Sequence, residues 1–94
     1  MAKSKHDKVA ERIAKRRGGR YPPQKGADVV NRREAIEVEV DLNRFSEGIR
    51  QLQGYRKPRY LAVPNSLVKQ AKERTQGLKV GIMDENGKIV KRAG

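Results

Sequence analysis

The chain begins with apolar residues at helical spacing. Up to residue 17 the apolar positions recur every three or four residues among lysines and arginines: Val9, Ala10, Ile13 and Ala14. This pattern predicts an amphipathic helix over about residues 4–17 that stops at the glycine pair that follows. A short strand is expected at residues 19–21, and residues 1–4 are expected to form a flexible basic tail.

The pattern then changes from a helical period to an alternation of apolar and polar residues. The segments "ADVV" (27–30) and "AIEVEV" (35–40) are typical of two strands joined by the polar "NRRE". Along the second strand the faces differ, one apolar and one acidic: Ile36, Val38 and Val40 against Glu37, Glu39 and Asp41. We expect the apolar face to pack in the core.

The second half of the chain alternates between helix and strand patterns. A helix is predicted over residues 44–56, and the apolar "YLAVP" follows it as a strand. A third helix is expected to start at Asn65 or Ser66, both good N-cap residues. The last two strands, "LKVGIM" and "KIVK", are joined through Asn86-Gly87, which favours a tight hairpin turn.

This order of elements, α, β, β, β, α, β, α, β, β, predicts an α/β fold, an α+β mixed sheet flanked by helices. With 94 residues, the chain has room for one modest core, so residues 1–94 are expected to form one domain. The chain has no cysteine, which excludes disulfides and thiolate chemistry. Because it also shows no secretory leader pattern and no apolar run of membrane length, we expect a cytoplasmic protein.

Charge is distributed very unevenly along the chain. Residues 1–33 hold 11 Lys/Arg and 3 Asp/Glu, residues 34–50 hold 2 and 5, and residues 51–94 hold 10 and 3, giving +8, −3 and +7 and a net charge of +12. Such an excess attracts polyanions, so nucleic acid is the expected partner. A thermophile-type charged surface usually balances its signs and does not account for this excess.

The acidic residues of the second strand face a carboxylate of the first. If the "NRRE" loop closes a hairpin, paired positions add to 65, which places Asp28 opposite Glu37 and puts Glu39 about 6.7 Å further along. Like charges opposed in this way destabilise a hairpin, whereas a divalent cation would reverse the sign of the interaction. The pattern therefore indicates either metal-assisted hydrolysis of a phosphodiester or the solvated face of an ordinary half-exposed strand.

Several segments of the chain resemble the restriction-endonuclease-like PD-(D/E)xK nuclease superfamily, in particular archaeal Holliday-junction-resolvase-like small nucleases. They are "GADVV", "AIEVEV", "IRQLQGYRKPRYLAVP" and "GLKVGIMDENGKIV". The resemblance implies an αβββαβ core, followed here by a helix and a β-hairpin. It also implies a DNA endonuclease that uses Mg²⁺ or Mn²⁺.

The resemblance also implies catalytic residues. Asp28 matches the family's metal-binding Asp, Glu37 matches its (D/E) position, and Gln51 matches a Gln on the helix that follows. Glu39 stands where the family usually has Lys, although some restriction enzymes carry Glu there; it would be a third metal ligand or the general base. Without that Lys, Lys25 or Arg50 is expected to stabilise the negative charge that develops on the phosphate.

The basic run "KRRGGR" is a candidate for binding phosphate groups. The residues expected to bind nucleic acid are Lys15, Arg16, Arg17, Arg20, Lys25 and Arg50. Cations at the end of a helix also complement its dipole, so the run has a purely structural interpretation as well. His6, which has no neighbouring His or Cys, is expected to be packed or solvated.

The function expected from these patterns is cleavage of duplex or branched DNA by a homodimer. A catalytically inactive nucleic-acid-binding relative is the first alternative, because Glu39 replaces the usual Lys. A basic ribosome- or chromatin-associated protein with an unrelated α+β fold is the second.

Overall fold

The computed structural model describes residues 4–19, 21 and 27–93. Its elements, in chain order, are α1 (Lys5–Arg17), β1 (Val29–Val30), β2 (Ala35–Val38), α2 (Phe45–Leu52), β3 (Arg59–Ala62), α3 (Val68–Arg74), β4 (Gly81–Met83) and β5 (Ile89–Lys91). No helix in the described part of the chain is both long and apolar enough to cross a membrane.

The first helix forms where the sequence predicts it. Ser4 is its N-cap, and the Asp7 N–H donates to the Ser4 Oγ at 3.1 Å. At the other end the Gly18 N–H donates to the carbonyl of Ala14, in a backbone conformation with φ of 83° that suits glycine. Ser4 thus belongs to the helix terminus rather than to a tail, and residues 1–3 lie outside the described part.

The five strands form one mixed sheet in sequence order, β1-β2-β3-β4-β5. The β1–β2 and β4–β5 pairs are antiparallel, whereas β2–β3 and β3–β4 are parallel. Each parallel pair needs a crossover, and α2 and α3 supply the two. Because both crossovers step in the same direction across the sheet, the usual handedness puts α2 and α3 on one face.

The two faces of the sheet carry separate buried clusters. On the first face α1 packs on the sheet through Val9, Ala10, Ile13, Val29, Ile36, Val38, Tyr60, Ala62 and Met83. On the second face α2 and α3 pack on it through Ala27, Ala35, Phe45, Leu52, Leu61, Val63, Ala71, Val80 and Ile82. The mixed sheet between helices, predicted from the sequence, is confirmed at this level.

Two predicted helix boundaries differ in the structure. Instead of one helix over residues 44–56, a 3₁₀ turn (Leu42–Arg44) leads into α2, and the chain leaves the helix at Gln53 before Gly54, whose φ is 96°. The third helix has no side-chain cap; it begins with a 3₁₀ turn at Asn65, whose N–H donates to the Glu85 carboxylate at 3.0 Å. A distant side chain replaces the expected local cap.

Two strand predictions also differ. Neither Gly19 nor Tyr21 lies in a strand, and Arg20 lies outside the described part, so the described residues contain two strands between α1 and α2. The Asn86-Gly87 hairpin exists, but Asn86, like every other described non-glycine residue, lacks a positive φ, which excludes a two-residue I′ turn. The bonds Gly87 N–H to Asp84 carbonyl and Asp84 N–H to Lys88 carbonyl instead close a three-residue loop with Gly87 at φ 84°.

Arg17 ties α1 to the start of β2. Its Nε and Nη2 donate to the two carboxylate oxygens of Glu34 at 2.8 and 2.9 Å. The Glu34 side chain is only 5% exposed, and this contact is the main reason why its pKa lies below the usual range. Arg17 was expected to bind nucleic acid, but here its guanidinium is engaged inside the protein.

Replacing Arg17 by Gln should lower the free energy of unfolding by about 2 to 3 kcal/mol, because it leaves a buried carboxylate without its cation. Urea denaturation monitored by circular dichroism measures the change. Arg16→Gln, which removes an exposed charge from the same helix, is the matched control and should change stability by less than about 0.5 kcal/mol. Equal effects of the two substitutions would contradict a stabilising role for the Arg17–Glu34 pair.

Candidate active site

The β1–β2 pairing brings the two predicted carboxylates together. Val29 pairs with Ile36 and Val30 with Ala35, so the register in which positions add to 65 is confirmed. Just beyond these pairs, the Asp28 N–H donates to the Glu37 Oε1 at 3.1 Å. The Val38 N–H in turn donates to the Asp28 Oδ2 at 2.9 Å. The two acidic side chains are therefore held in place by the backbone of the facing strand.

Glu37 lies in an environment that disfavours its charge. Burial is the largest cause, and the negative charge of Asp28 is the next; together they raise the pKa of Glu37 to about 8. At neutral pH the pair therefore keeps a proton that two separate carboxyl groups would have lost. A strongly raised pKa next to a second carboxylate is a common property of catalytic and metal-binding sites.

His6 of α1 contacts the pair from the other side. Its Nε2 lies 3.0 Å from the Asp28 Oδ2, and its Nδ1 lies 3.5 Å from the Tyr21 hydroxyl. That hydroxyl donates a hydrogen bond to Asp7, and burial together with this bond raises the pKa of Tyr21. His6 is packed against these side chains, and it also lines the cleft of the candidate site, which the sequence did not predict.

An open cleft of about 520 Å³ lies next to the carboxylate pair. It is lined by His6, Glu37, Val38, Glu39, Val40, Asp41, Arg44, Glu47 and Gln51. Three of the four predicted catalytic residues thus share one cleft, and the fourth, Asp28, is hydrogen-bonded to three of its lining residues, His6, Glu37 and Val38. Glu39 accepts a hydrogen bond from the Asp41 N–H at 3.0 Å, and burial raises its pKa.

A glycine on α2 lets the helix approach the acidic strand closely. A Cβ atom at Gly48 would lie 3.1 Å from the Leu61 Cδ1, 3.5 Å from the Glu37 Cγ and 3.8 Å from the Glu39 Cβ. Because glycine has no side chain, α2 can pack against β2 and β3 while its next turn carries Gln51 into the cleft wall.

The cations of the cleft differ from the expected ones. Arg44 lines the cleft, and its Nη2 lies 3.2 Å from the Glu47 carboxylate. Arg50, which was expected to serve the site, is exposed on α2 and does not line this cleft. Lys25, the other candidate, lies outside the described residues, as does Arg20.

The predicted phosphate-binding run lies at the opposite end of α1 from the site. Lys15 and Arg16 are exposed and stand nine and ten positions after His6, which corresponds to roughly 14 Å along the helix axis. Arg17 is paired with Glu34. Of this run, Lys15 and Arg16 are the described side chains available to an outside anion.

The three predicted metal ligands do not form a three-residue metal site. Within residues 4–19, 21 and 27–93, no three His, Cys, Asp or Glu side chains form a group that could hold a metal ion. The Asp28–Glu37 pair alone still offers the donors that Mg²⁺ uses, since this ion is commonly held by one or two carboxylates together with water and phosphate oxygens. Glu39 is instead hydrogen-bonded to the backbone beyond the strand.

Comparison of the chain with protein-family models, with curated proteins and with solved structures gives no match. The functional argument therefore depends on the geometry and charge of the site.

Stability should fall as the pH rises through the range in which Glu37 titrates. Its pKa is raised in the folded protein, so between about pH 4.5 and 8 the folded state binds more protons than the unfolded state, and unfolding becomes easier with rising pH. Glu37→Gln removes this penalty and should be more stable than the wild type by about 1 to 2 kcal/mol at alkaline pH, after allowance for partial exposure. At acidic pH, where Glu37 is protonated in both states, the free energies of unfolding of the variant and the wild type should become more similar.

Urea denaturation at a series of pH values tests this expectation. Glu73→Gln, which neutralises an exposed carboxylate on α3, is the control and should follow the wild-type curve. Parallel curves for the wild type and Glu37→Gln would show that Glu37 titrates normally.

Proposed function

We propose that the protein is a metal-dependent DNA endonuclease with a restriction-endonuclease-like core. The observation that carries the proposal is the Asp28–Glu37 pair, in which two carboxyl groups are held close together beside an open cleft. An ordinary solvated strand face leaves its carboxylates free to separate in water, whereas here the backbone and His6 hold them together. The net charge of +12 on the whole chain suits a polyanionic substrate.

Each residue of the site has a chemical role in this proposal. Asp28 and Glu37 would hold Mg²⁺, which when bound stabilises charge on the phosphate and lowers the pKa of water. His6 orients the Asp28 carboxylate through the contact at Oδ2. Glu39 accepts a proton from the attacking water; its raised pKa makes it a better acceptor than an ordinary carboxylate.

Two further side chains of the cleft complete the proposed site. Gln51 has an amide that can position water or a phosphate oxygen. Arg44 takes the role of the missing Lys and stabilises charge on the scissile phosphate, since it is the arginine among the described residues that line the cleft. A homodimer is part of the proposal, because two clefts related by symmetry can act on the two strands of a duplex.

Nucleic-acid binding without cleavage is the second candidate function. Glu39 occupies the position where the resembling family usually carries Lys, and the described residues offer two rather than three converging ligands. The basic surface would then serve binding alone.

Incubating the protein with supercoiled plasmid and with a four-way DNA junction, in Mg²⁺ or Mn²⁺, tests the first proposal. We expect metal-dependent cleavage that falls by at least about 100-fold in Glu37→Gln, because the variant loses a charged ligand. Glu73→Gln is the matched control and should cleave at the wild-type rate. Wild-type protein that binds both DNAs but cleaves neither across pH and metals would favour the second candidate.

Substitutions at Arg44 and Arg50 test which arginine stabilises the phosphate charge. The structure indicates Arg44, whereas the sequence predicts Arg50 as one of two candidates. Arg44→Gln should lower the cleavage rate by about 10-fold or more, whereas Arg50→Gln should change it by less than about 3-fold, because only Arg44 lines the cleft. Single-turnover cleavage rates at saturating protein measure this without interference from binding. The opposite ranking would restore Arg50 as the cation of the site.

A further inference from the structure

A second cationic surface lies away from the carboxylate cleft. Two open cavities of about 680 and 320 Å³ adjoin each other, since Pro58 and Ala93 line both. They lie where β3 begins, where the chain enters β4 and where β5 ends. Six cationic residues from these three segments line the cavities. Lys91 donates its ammonium hydrogens to the carbonyls of Thr75 and Val80. The other five are Arg56, Lys57, Arg59, Lys79 and Arg92. We call these five residues the basic end.

The described lining of the basic end contains no acidic side chain. Among residues 4–19, 21 and 27–93, no Asp or Glu lines either cavity. Among the described residues, no ion pair involves a residue of the basic end, whereas Arg12, Arg17 and Arg44 each have a carboxylate partner. Lys57 donates to the carbonyl of Asn31 at 2.7 Å, so even this ammonium is bound to a neutral group.

Clustering these cations has an energetic consequence. Like charges on one small surface repel each other, and a bound anion removes that repulsion. The effect is largest for a ligand that brings several negative charges at regular intervals, as a phosphodiester backbone does. Guanidinium groups also suit phosphate, because they donate two parallel hydrogen bonds to it.

The sheet register gives the distance between the basic end and the carboxylate cleft. Arg59 pairs with Ala35 at the start of the parallel strands, whereas the Glu39 N–H donates to the Ala62 carbonyl at their other end. Four residues of strand separate the two positions, which corresponds to roughly 13 Å. A DNA duplex advances by about 3.4 Å per base pair, so a few base pairs cover that distance.

We propose that the basic end is a binding surface for the phosphate backbone of duplex DNA, separate from the carboxylate cleft. The inference shares with the proposed function the assumption that the partner is nucleic acid, but it does not depend on cleavage. The residues of the basic end all lie in the second half of the sequence. Their contacts with DNA are therefore additional to any made by the basic run at residues 15–20.

The test is a salt titration of DNA binding in metal-free buffer. The double variant Arg56→Gln/Arg92→Gln removes two exposed charges from the basic end, and Lys69→Gln/Lys72→Gln removes two exposed charges from α3 as the matched control. Fluorescence anisotropy with a labelled duplex of about 20 base pairs gives Kd between about 50 and 300 mM salt. For the basic-end variant, Kd should rise at least about 10-fold near 0.1 M salt, and the slope of log Kd against log salt should fall by about 2. The control should lose no more than about 3-fold.

Equal losses in the two double variants would overturn the inference, because only net charge would then matter. A labelled polyglutamate peptide is the second probe. If it binds more tightly than the duplex and this binding is lost in the basic-end variant, the surface serves an acidic protein and the inference fails. If no DNA is cleaved but the basic-end variant still loses DNA affinity selectively, the proposed nuclease fails and the basic end stands.

Discussion

The pairing of β1 with β2 is the constraint on which the candidate site depends. Val29 and Ile36 are fully buried beneath α1, and a shift of one residue would turn their side chains to the other face. The register that buries them also brings residues 28 and 37 face to face. Apolar packing, rather than any attraction between the acidic groups, therefore brings the carboxylates together.

Neighbouring groups reduce the free-energy cost of holding the Asp28 and Glu37 carboxyl groups close together. Backbone N–H groups of the facing strands donate to both carboxylates, and His6 contacts the one on Asp28. These contacts do not make Glu37 an ordinary surface acid, because burial still opposes its ionisation. A sheet designed for stability alone would not bury an ionisable side chain next to a second carboxylate. Such unfavourable arrangements are expected at sites where a protein binds a ligand or catalyses a reaction.

Sequence patterns were informative wherever neighbouring residues decide the structure. The first helix, with its terminal glycine, and the hairpin register both follow from local spacing, whereas the capping role of Ser4 was not predicted. Contacts between distant segments were not predictable in this way. His6 contacts Asp28, which is 22 positions away, and Arg17 contacts Glu34, which is 17 positions away. Charge alone cannot distinguish an arginine that pairs with a buried glutamate from one that binds phosphate.

The helix boundaries illustrate the same limit. Apolar spacing alone would continue α2 past Leu52, but the helix ends there and the chain changes direction at Gln53 and Gly54. For α3, Asn65 has the side chain of a helix cap, yet the carboxylate that meets its N–H comes from Glu85 in the last hairpin. Local propensity therefore placed these elements, whereas tertiary contacts decided where they begin and end.

The absent side chain at Gly48 gives the cleft its width. Glycine inside a helix reduces helix stability by roughly 0.5 to 1 kcal/mol relative to alanine. The lack of a side chain at this position lets α2 pack closely against Glu37, Glu39 and Leu61. A larger residue would act as a spacer that moves the wall bearing Gln51 away from Glu37 and Glu39. Position 48 therefore limits the size of the side chain that α2 can carry there without displacing Leu61 or the helix itself.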